Sequence, residues 1–257
     1  MEKTIFITGA SSGIGLATVR LFLSKGWNVI GYDVNICPDC PFPDLDGQKI
    51  PDERFMFILG DTRNREILRD AVSRGIAKFG GLHAVFACAG VHHSDTLTDL
   101  DFDELDRLIQ INILGTVNTL HATIPQIIAS GGGAAVINAS DQSLIGKPHS
   151  FSYGLSKGAL GQIAKSLALD LAPRNIRVNA VCPGTIRTPM VDSIFERCES
   201  RGDGDIATLW NEESALFPMG RVGTAEEIAR TVWFLASEES SFITGALLPV
   251  DGGLTAG

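Results

Sequence analysis

The sequence predicts a single-domain α/β fold, a doubly wound parallel sheet of about seven strands with helices on both faces, and three observations predict it. The chain has 257 residues, 44% hydrophobic and 20% charged, enough to bury one large core and without a sign of a second domain. Continuous apolar runs of strand length alternate along it with amphipathic runs of helix length. At the first junction between the two stands a glycine-rich segment, "TGASSGIG" (8–15).

The elements follow in order. "KTIFITG" (3–9) is a continuous apolar run ending in Gly, the pattern of a strand buried on both faces. In "GIGLATVRLFLSKG" the apolar Ile14, Ala17, Leu21 and Phe22 recur at helical spacing until Gly26 stops the helix, and "NVIGYD" (28–33) is the second strand. "RFMFILGD" (54–61), "REILRDAVSRGIAKFG" (65–80) and "HAVFACAG" (83–90) repeat strand, helix and strand. A long helix is expected in "DFDELDRLIQINILGTVNTL", with Asp101 as its cap and Glu104, three residues on, completing a capping box. "AAVINAS" (134–140) is a strand, "SYGLSKGALGQIAKSLALDLA" (152–172) a helix and "RVNAVCPG" (177–184) a strand. An irregular stretch is expected over 185–220, then the helix "TAEEIARTVWFLAS" and a last strand in "GALLPVDGG". Between the second and third strands "VNICPDCPFPDLDGQKIPDE" (34–53) is rich in Pro and Asp and predicts a surface loop where a helix would otherwise cross.

Charge and composition exclude several classes of function. Thirty acidic against twenty-one basic residues give a net charge of −9, which opposes binding to nucleic acid or to an anionic membrane. No apolar run approaches the roughly 20 residues of a membrane-spanning helix. The opening "MEKTIFITGASSGIG" runs straight into a strand without the features of a signal peptide, so a soluble, cytoplasmic protein is expected. Five cysteines do not suggest a disulfide framework. Cys37 and Cys40 form a Cys-x-x-Cys pair, but no second pair lies nearby to complete a zinc site, and Pro41 and Pro43 oppose the helix N-terminus that activates a redox pair. No metal is expected.

The glycine segment carries a mechanism. Gly9 permits a tight turn, Gly13 lets the backbone approach a pyrophosphate, and Gly15 lets the helix pack closely on the strand, so that amide N–H groups and the positive helix end face an anion. Asp33, at the end of the second strand, stands where a carboxylate accepts both ribose hydroxyls of an adenosine and repels a 2′-phosphate, which favours NAD. No Arg or Lys lies within several residues of it to receive a phosphate.

Tyr153 and Lys157, at i and i+4, share a helix face, and Ser140 at the C-terminal end of a strand can meet them across the sheet edge. Hydride transfer between an alcohol and a nicotinamide needs a proton acceptor at the hydroxyl oxygen. A free tyrosine, with a pKa near 10, needs roughly 4 kcal/mol to serve near neutrality. One ammonium at about 4 Å supplies that order of energy in an intermediate dielectric. Lys157 is therefore read as the cation that lowers the tyrosine pKa, Tyr153 as the acid/base and Ser140 as the hydroxyl that positions the substrate oxygen. Asn112 falls mid-helix, where an unpaired amide is costly.

Together "TGASSGIG", "ACAG" (87–90), Asn112, Ser140, "YGLSK" (153–157) and "PGTIRTP" (183–189) resemble the short-chain dehydrogenase/reductase family over essentially the whole chain, in a single NAD-binding Rossmann domain spanning 1–257. "PMGRVGTAEEIARTVWFLASEESSFITGALLPVDGG" (218–253) is similar to that family's usual ending. The resemblance implies that Asn112 holds a water in a proton relay to Lys157. It also implies that Ser11, Ser12 and Ile14 join the glycines around the cofactor, Asp61 and Thr62 hold the adenine, and Ala89 and Gly90 lie beside its ribose. Pro183, Gly184, Ile186 and Thr188 are implied to grip the nicotinamide. The chain departs from the family's usual pair of asparagines, having Ala87 and Cys88 instead. Pairing into a homodimer or homotetramer is likewise implied.

Substrate contacts are expected from Gln142, His92 or His93, His149, Arg187 and a mobile lid around 190–217. Adjacent histidines cannot both face one site. With Lys147, these polar groups favour a small hydroxylated or anionic substrate, and "VHH" (91–93), "CPGTI" (182–186) and "ERCESRG" (196–202) resemble the family branch acting on small hydroxy acids and sugar acids; there Arg187, Arg197 or Arg201 could hold a carboxylate. The expected function is NAD-dependent oxidation of a small secondary alcohol or reduction of its ketone. A nucleotide-sensing or scaffold protein of the same fold is the alternative.

Overall fold

Seven parallel strands form one sheet in the order β3-β2-β1-β4-β5-β6-β9. They are β1 (Thr4–Thr8), β2 (Asn28–Asp33), β3 (Phe55–Leu59), β4 (Ala84–Ala87), β5 (Gly133–Asn138), β6 (Ile176–Pro183) and β9 (Leu247–Val250) in the computed structural model of the chain, which describes residues 2–36 and 52–257. A separate two-stranded piece pairs β7 (Ile186–Arg187) with β8 (Gly223–Thr224). The helices are α1 (Gly13–Ser24), α2 (Arg65–Phe79), α3 (Phe102–Leu108), α4 (Gly115–Ala129), α5 (Phe151–Leu171), α6 (Pro189–Arg201), α7 (Ile206–Ala215) and α8 (Ala225–Ala236).

Strand parity sorts the core into two layers. Ile5, Ile7, Val29 and Phe86 point to the side covered by α1 and α8, where Phe22, Val19, Ile228 and Val232 meet them. Phe6, Ile30, Val85 and Ile137 point to the other side, against Leu68 and Val72 of α2, Leu120 and Ile127 of α4 and Leu160 and Ala164 of α5. Because both faces are covered, the strands read as unbroken apolar runs. β1 neighbours both β2 and β4, so the strand order reverses there, and the crevice beyond the C-terminal ends of these strands is where such sheets bind ligands.

The long helix expected from Asp101 is present: Asp101 caps α3, accepting from the N–H groups of Asp103 and Glu104, and the helix continues through a π-helical segment, Ile109–Leu114, into α4. Two expectations are corrected. The Glu104 side chain does not close a capping box; its carboxylate takes a hydrogen bond from Arg107 at 3.0 Å, a partner one turn along the same surface. The stretch 185–220 is not irregular. Thr188 and Pro189 start α6, Gly202 ends it at φ 86, and Asp205 caps α7 through the Thr208 N–H. Among the residues of the two helices only Trp210 is buried. The loop expected at 34–53, with Cys37 and Cys40, falls largely outside the described residues. Among the described residues no helix is long and apolar enough to cross a membrane.

Candidate active site

A cleft of ≈ 770 Å³ runs across the C-terminal ends of the strands. Its floor is the turn from β1 into α1. Gly9 and Gly13 adopt φ 68 and φ 50, conformations that favour glycine, and a Cβ on Gly15 would drive into the Gly9 carbonyl oxygen. Gly9, Ser12, Gly13, Ile14 and Gly15 all line the cleft, and α1 has no acidic side chain in its first turn to oppose an anion. The Ala87–Cys88 departure leaves this end intact, because the Thr8 hydroxyl accepts from both the Cys88 and Ala89 N–H groups at 3.0 and 3.1 Å. Ala89 and Gly90 line the cleft above.

At one end the buried Asp33 carboxylate faces the cleft. Its Oδ2 accepts from the Ser11 N–H at 3.0 Å and hydroxyl at 2.6 Å, and its Oδ1 from the Asn35 N–H at 3.0 Å. Ser11 is thus turned onto Asp33 and is not on the cleft wall; it orients the carboxylate. Asp61 and Thr62 lie on the wall with Arg63, whose guanidinium grips Asp61 at 2.6–3.1 Å and holds that carboxyl below the usual range. Thr62 is buried, its carbonyl taking the Asn118 side-chain N–H at 3.0 Å. Arg63 has no motif to announce it; only the bend after β3 brings it near the Asp33 end.

At the other end Ser140, Tyr153 and Lys157 share the wall, with Asn112 behind them. The π-turn aims Asn112 at the loop after β4: its Oδ1 accepts from the Val91 N–H at 2.9 Å and its Nδ2 donates to the Val91 carbonyl and the Ser156 hydroxyl, both at 3.0 Å. The amide is fully engaged, and Gly90 separates it from Lys157. Lys157 is 4% exposed; its ammonium donates to the Asn138 carbonyl at 2.8 Å and sits 5.5 Å from the Tyr153 ring centroid. Burial pushes its pKa down to about 8. Tyr153 does not have the lowered pKa expected from its lysine. Burial pushes it up, Asp141 adds to the rise, and a hydrogen bond with Ser140 opposes it. Asp141, 2% exposed, was not singled out in the sequence. Its Oδ1 accepts the Ser140 hydroxyl proton at 2.7 Å, and Lys147 lies 2.7 Å from its Oδ2.

The remaining expected residues divide. His92 lines the cleft and packs against Tyr153 with ring centroids 4.6 Å apart and planes tilted by 55°; burial, then the Arg197 charge, push its pKa down to about 4. His93 turns away to Glu104 at 3.8 Å. His149 lines the cleft in a left-handed conformation at φ 52, its carbonyl holding the Asp95 N–H at 3.1 Å, and Gln142 faces it with Oε1 on the Ser150 hydroxyl at 2.7 Å. Pro183, Gly184, Ile186 and Thr188 are on the wall, whereas Arg187 is not: its guanidinium lies over the Trp210 ring at 4.7 Å. A two-residue strand alternates its side chains, so Ile186 and Thr188 face the cleft while Arg187 faces α7. Desolvation pushes the pKa of the half-buried Cys88 up to about 12 and that of the buried Cys182 up to about 11, so neither supplies a thiolate. Among the described residues no group of three or more His, Cys, Asp or Glu could hold a metal ion.

A doubly wound sheet carrying a glycine turn at its switch point defines a Rossmann-like scaffold, and comparison with known proteins narrows it. A family model described as enoyl-(acyl carrier protein) reductase matches residues 9–255. The 3-oxoacyl-[acyl-carrier-protein] reductase FabG of Thermotoga maritima is 34% identical over 257 residues, covering 98% of this chain and 97% of that protein. The cyclohexanol dehydrogenase of an Acinetobacter species is 34% identical, over 99% and 95%. Among solved structures, ElxO with NADP bound superposes with a TM-score of 0.88 at 29% identity, over 100% of both chains. Carveol dehydrogenase from Mycobacterium avium in complex with NAD does so at 0.88 and 27%, over 99% and 98%. The chain belongs to the short-chain dehydrogenase/reductase family of oxidoreductases.

Proposed function

We propose that the protein is an NAD-dependent oxidoreductase interconverting a small secondary alcohol and its ketone. The observation that carries this reading is the gathering of Tyr153, Lys157 and Ser140 on the wall of the same cleft whose floor is the glycine turn. The cradle fits a dinucleotide: the turn is closed to side chains at Gly9 and Gly15, and Asp33 stands ready at the adenosine end. Gly9, Ser12, Gly13 and Ile14 would hold the pyrophosphate, Asp33 the adenosine ribose, Asp61 and Thr62 the adenine, Ala89 and Gly90 the neighbouring sugar, and Pro183, Gly184, Ile186 and Thr188 the nicotinamide. A nicotinamide bound there supplies the hydride acceptor for oxidation and the donor for reduction.

Tyr153 takes the proton from the substrate hydroxyl in oxidation and returns it in reduction. Lys157, held by the Asn138 carbonyl, is the charge that favours the ionised tyrosine against burial and Asp141. Ser140 fixes the substrate oxygen beside Tyr153. Asn112 pins the loop after β4 through Val91 and so holds the wall at Gly90 and Val91. α6 and α7, which bring Met190, Ile194, Phe195 and Glu213 to the cleft, act as its cover. Phe151, Leu155 and Leu169, exposed on α5, support pairing into a homodimer or homotetramer.

Relatives of similar fold hold NAD or NADP, and the choice of NAD rests on the Asp33 charge. Comparing reduction rates with NADH and NADPH tests it. Asp33→Ala is expected to weaken NADH use about 10- to 100-fold, the loss of charge-assisted hydrogen bonds. A clear NADPH preference in the unaltered protein contradicts the assignment. Tyr153→Phe should abolish turnover and keep nucleotide binding; persistence of turnover excludes the tyrosine as acid/base, and no turnover of any alcohol by the unaltered protein favours a nucleotide sensor.

A further inference from the structure

We propose that the pair of the buried Asp141 with the half-buried Lys147 selects an uncharged, hydroxylated substrate over one bearing a carboxylate. The inference rests on the oxidoreductase reading and narrows its substrate. Lys147 comes from the segment between Ser140 and α5, its side chain 24% exposed against 3% for Asp141, so the pair lies at the wall with the lysine towards the open side.

Among the described residues, every Lys and Arg on the cleft wall is already engaged. Arg63 grips Asp61, Arg107 donates to Glu104 at 3.0 Å, Lys157 donates to the Asn138 carbonyl and Lys147 faces Asp141. On the anionic side, Asp141 and Glu213 both line the substrate end, and His92 is neutral at pH 7, its pKa pushed down to about 4. A substrate carboxylate entering beside Ser140 meets the Asp141 and Glu213 carboxylates and the paired Lys147, while the Lys157 charge is turned to Tyr153 and the Asn138 carbonyl and Arg197 acts only from outside the wall. Substrate hydroxyls find complementary partners instead: the spare N–H donors of Lys147, the Glu213 carboxylate and the Gln142 amide. Arg187, the sequence's favoured carboxylate holder, is spent on Trp210. Arg197 is exposed on α6 and off the wall.

The pair also restrains Ser140. Its hydroxyl has both Asp141 Oδ1, at 2.7 Å, and Tyr153 as hydrogen-bond partners, while its oxygen accepts from the Gln142 N–H at 3.2 Å. Lys147 is the counter-charge that lets this carboxylate stay buried beside the reacting oxygen.

Cyclohexanol and 4-hydroxycyclohexanecarboxylate differ by one carboxylate and make a matched pair of probes. With the full chain and NAD, kcat/KM for the neutral alcohol is expected to exceed that for the acid at least tenfold. Asp141→Asn leaves Lys147 uncompensated and should move the ratio at least tenfold towards the acid; Lys147→Gln should move it the other way, and the double variant should return it near the starting value. A general loosening of the site moves both probes alike and gives no such opposed shifts. Calorimetric binding of cyclohexanecarboxylate and cyclohexanol in the presence of NADH gives the same comparison without turnover. An acid-preferring unaltered protein, ratios unmoved by either variant, or loss of acid use on Arg197→Gln overturns the proposal. Opposed binding shifts without turnover of either probe leave the pair's role standing and count against the oxidoreductase reading alone.

Discussion

Replacing Lys157 by methionine keeps the length of a buried side chain and removes its charge. Lys157 stands 5.5 Å from the centre of the Tyr153 ring and is protonated below its pKa of about 8. With the ring centre standing for the tyrosinate charge, two unit charges at that separation interact by about 3 kcal/mol at an effective dielectric of about 20, equivalent to about two pKa units on the tyrosine. The remaining groups cannot replace it: burial and Asp141 both push the Tyr153 pKa up, Cys88 acts in the same sense, and only the Ser140 hydrogen bond acts against them. The acidic limb of kcat/KM for alcohol oxidation should therefore move about two pH units upward in Lys157→Met, with a loss of about 100-fold on that limb. The gap should narrow above pH about 8, where the native lysine itself gives up its proton. The measurement is kcat/KM against pH for both proteins, with thermal unfolding as a control for the freed Asn138 carbonyl, a cost of about 1 kcal/mol. A uniform drop with the limb unmoved refutes the electrostatic role and leaves Lys157 as a structural tether.

Other perturbations reach further parts of the molecule. Gly15→Ala places a methyl well under 3.0 Å from the Gly9 carbonyl, a backbone atom with no room to yield, so α1 must shift; a lowered melting temperature and loss of nucleotide binding are expected in calorimetry. Glu227 is held with its pKa lowered to about 2 by Arg221 first and by the Thr224 N–H next. That stability is present above the usual carboxylate pKa of about 4.5 and is lost as pH falls through about 2. Glu227→Gln keeps a cap for α8 and loses the exposed Arg221 pair, so denaturant titration should find a deficit below about 1 kcal/mol at pH 7, absent at pH 2.

Much of this was legible in the chain because local rules govern it. An apolar run between breakers becomes a doubly covered strand, and Tyr153 and Lys157 share a helix face by spacing alone. The glycines of 9–15 were legible for the same reason, since positive φ and close approach are backbone demands that one residue type meets best. What failed to show were features set by partners remote in sequence. Nothing near Ser11 announces that it serves Asp33 across 22 residues, and nothing near Asn112 shows that Val91 will satisfy its amide through a π-turn. α6 and α7 bury only Trp210, yet their signals, Pro189 at the start of α6, Gly202 at its end and the Asp205 cap of α7, are ordinary ones that the sequence reading passed over.

Sequence by itself determined the strand order's raw material, the glycine turn after β1 and the side chains proposed to react, because these depend on periodicity, conformational freedom and functional-group chemistry. Tertiary structure alone decided the charge state of the site. Burial raised Tyr153, lowered Lys157 and His92, and turned Arg187 onto Trp210 while seating Asp141 and Lys147 beside Ser140. Desolvation and Coulomb energies depend on distance and on the exclusion of water, and neither is written in the order of residues.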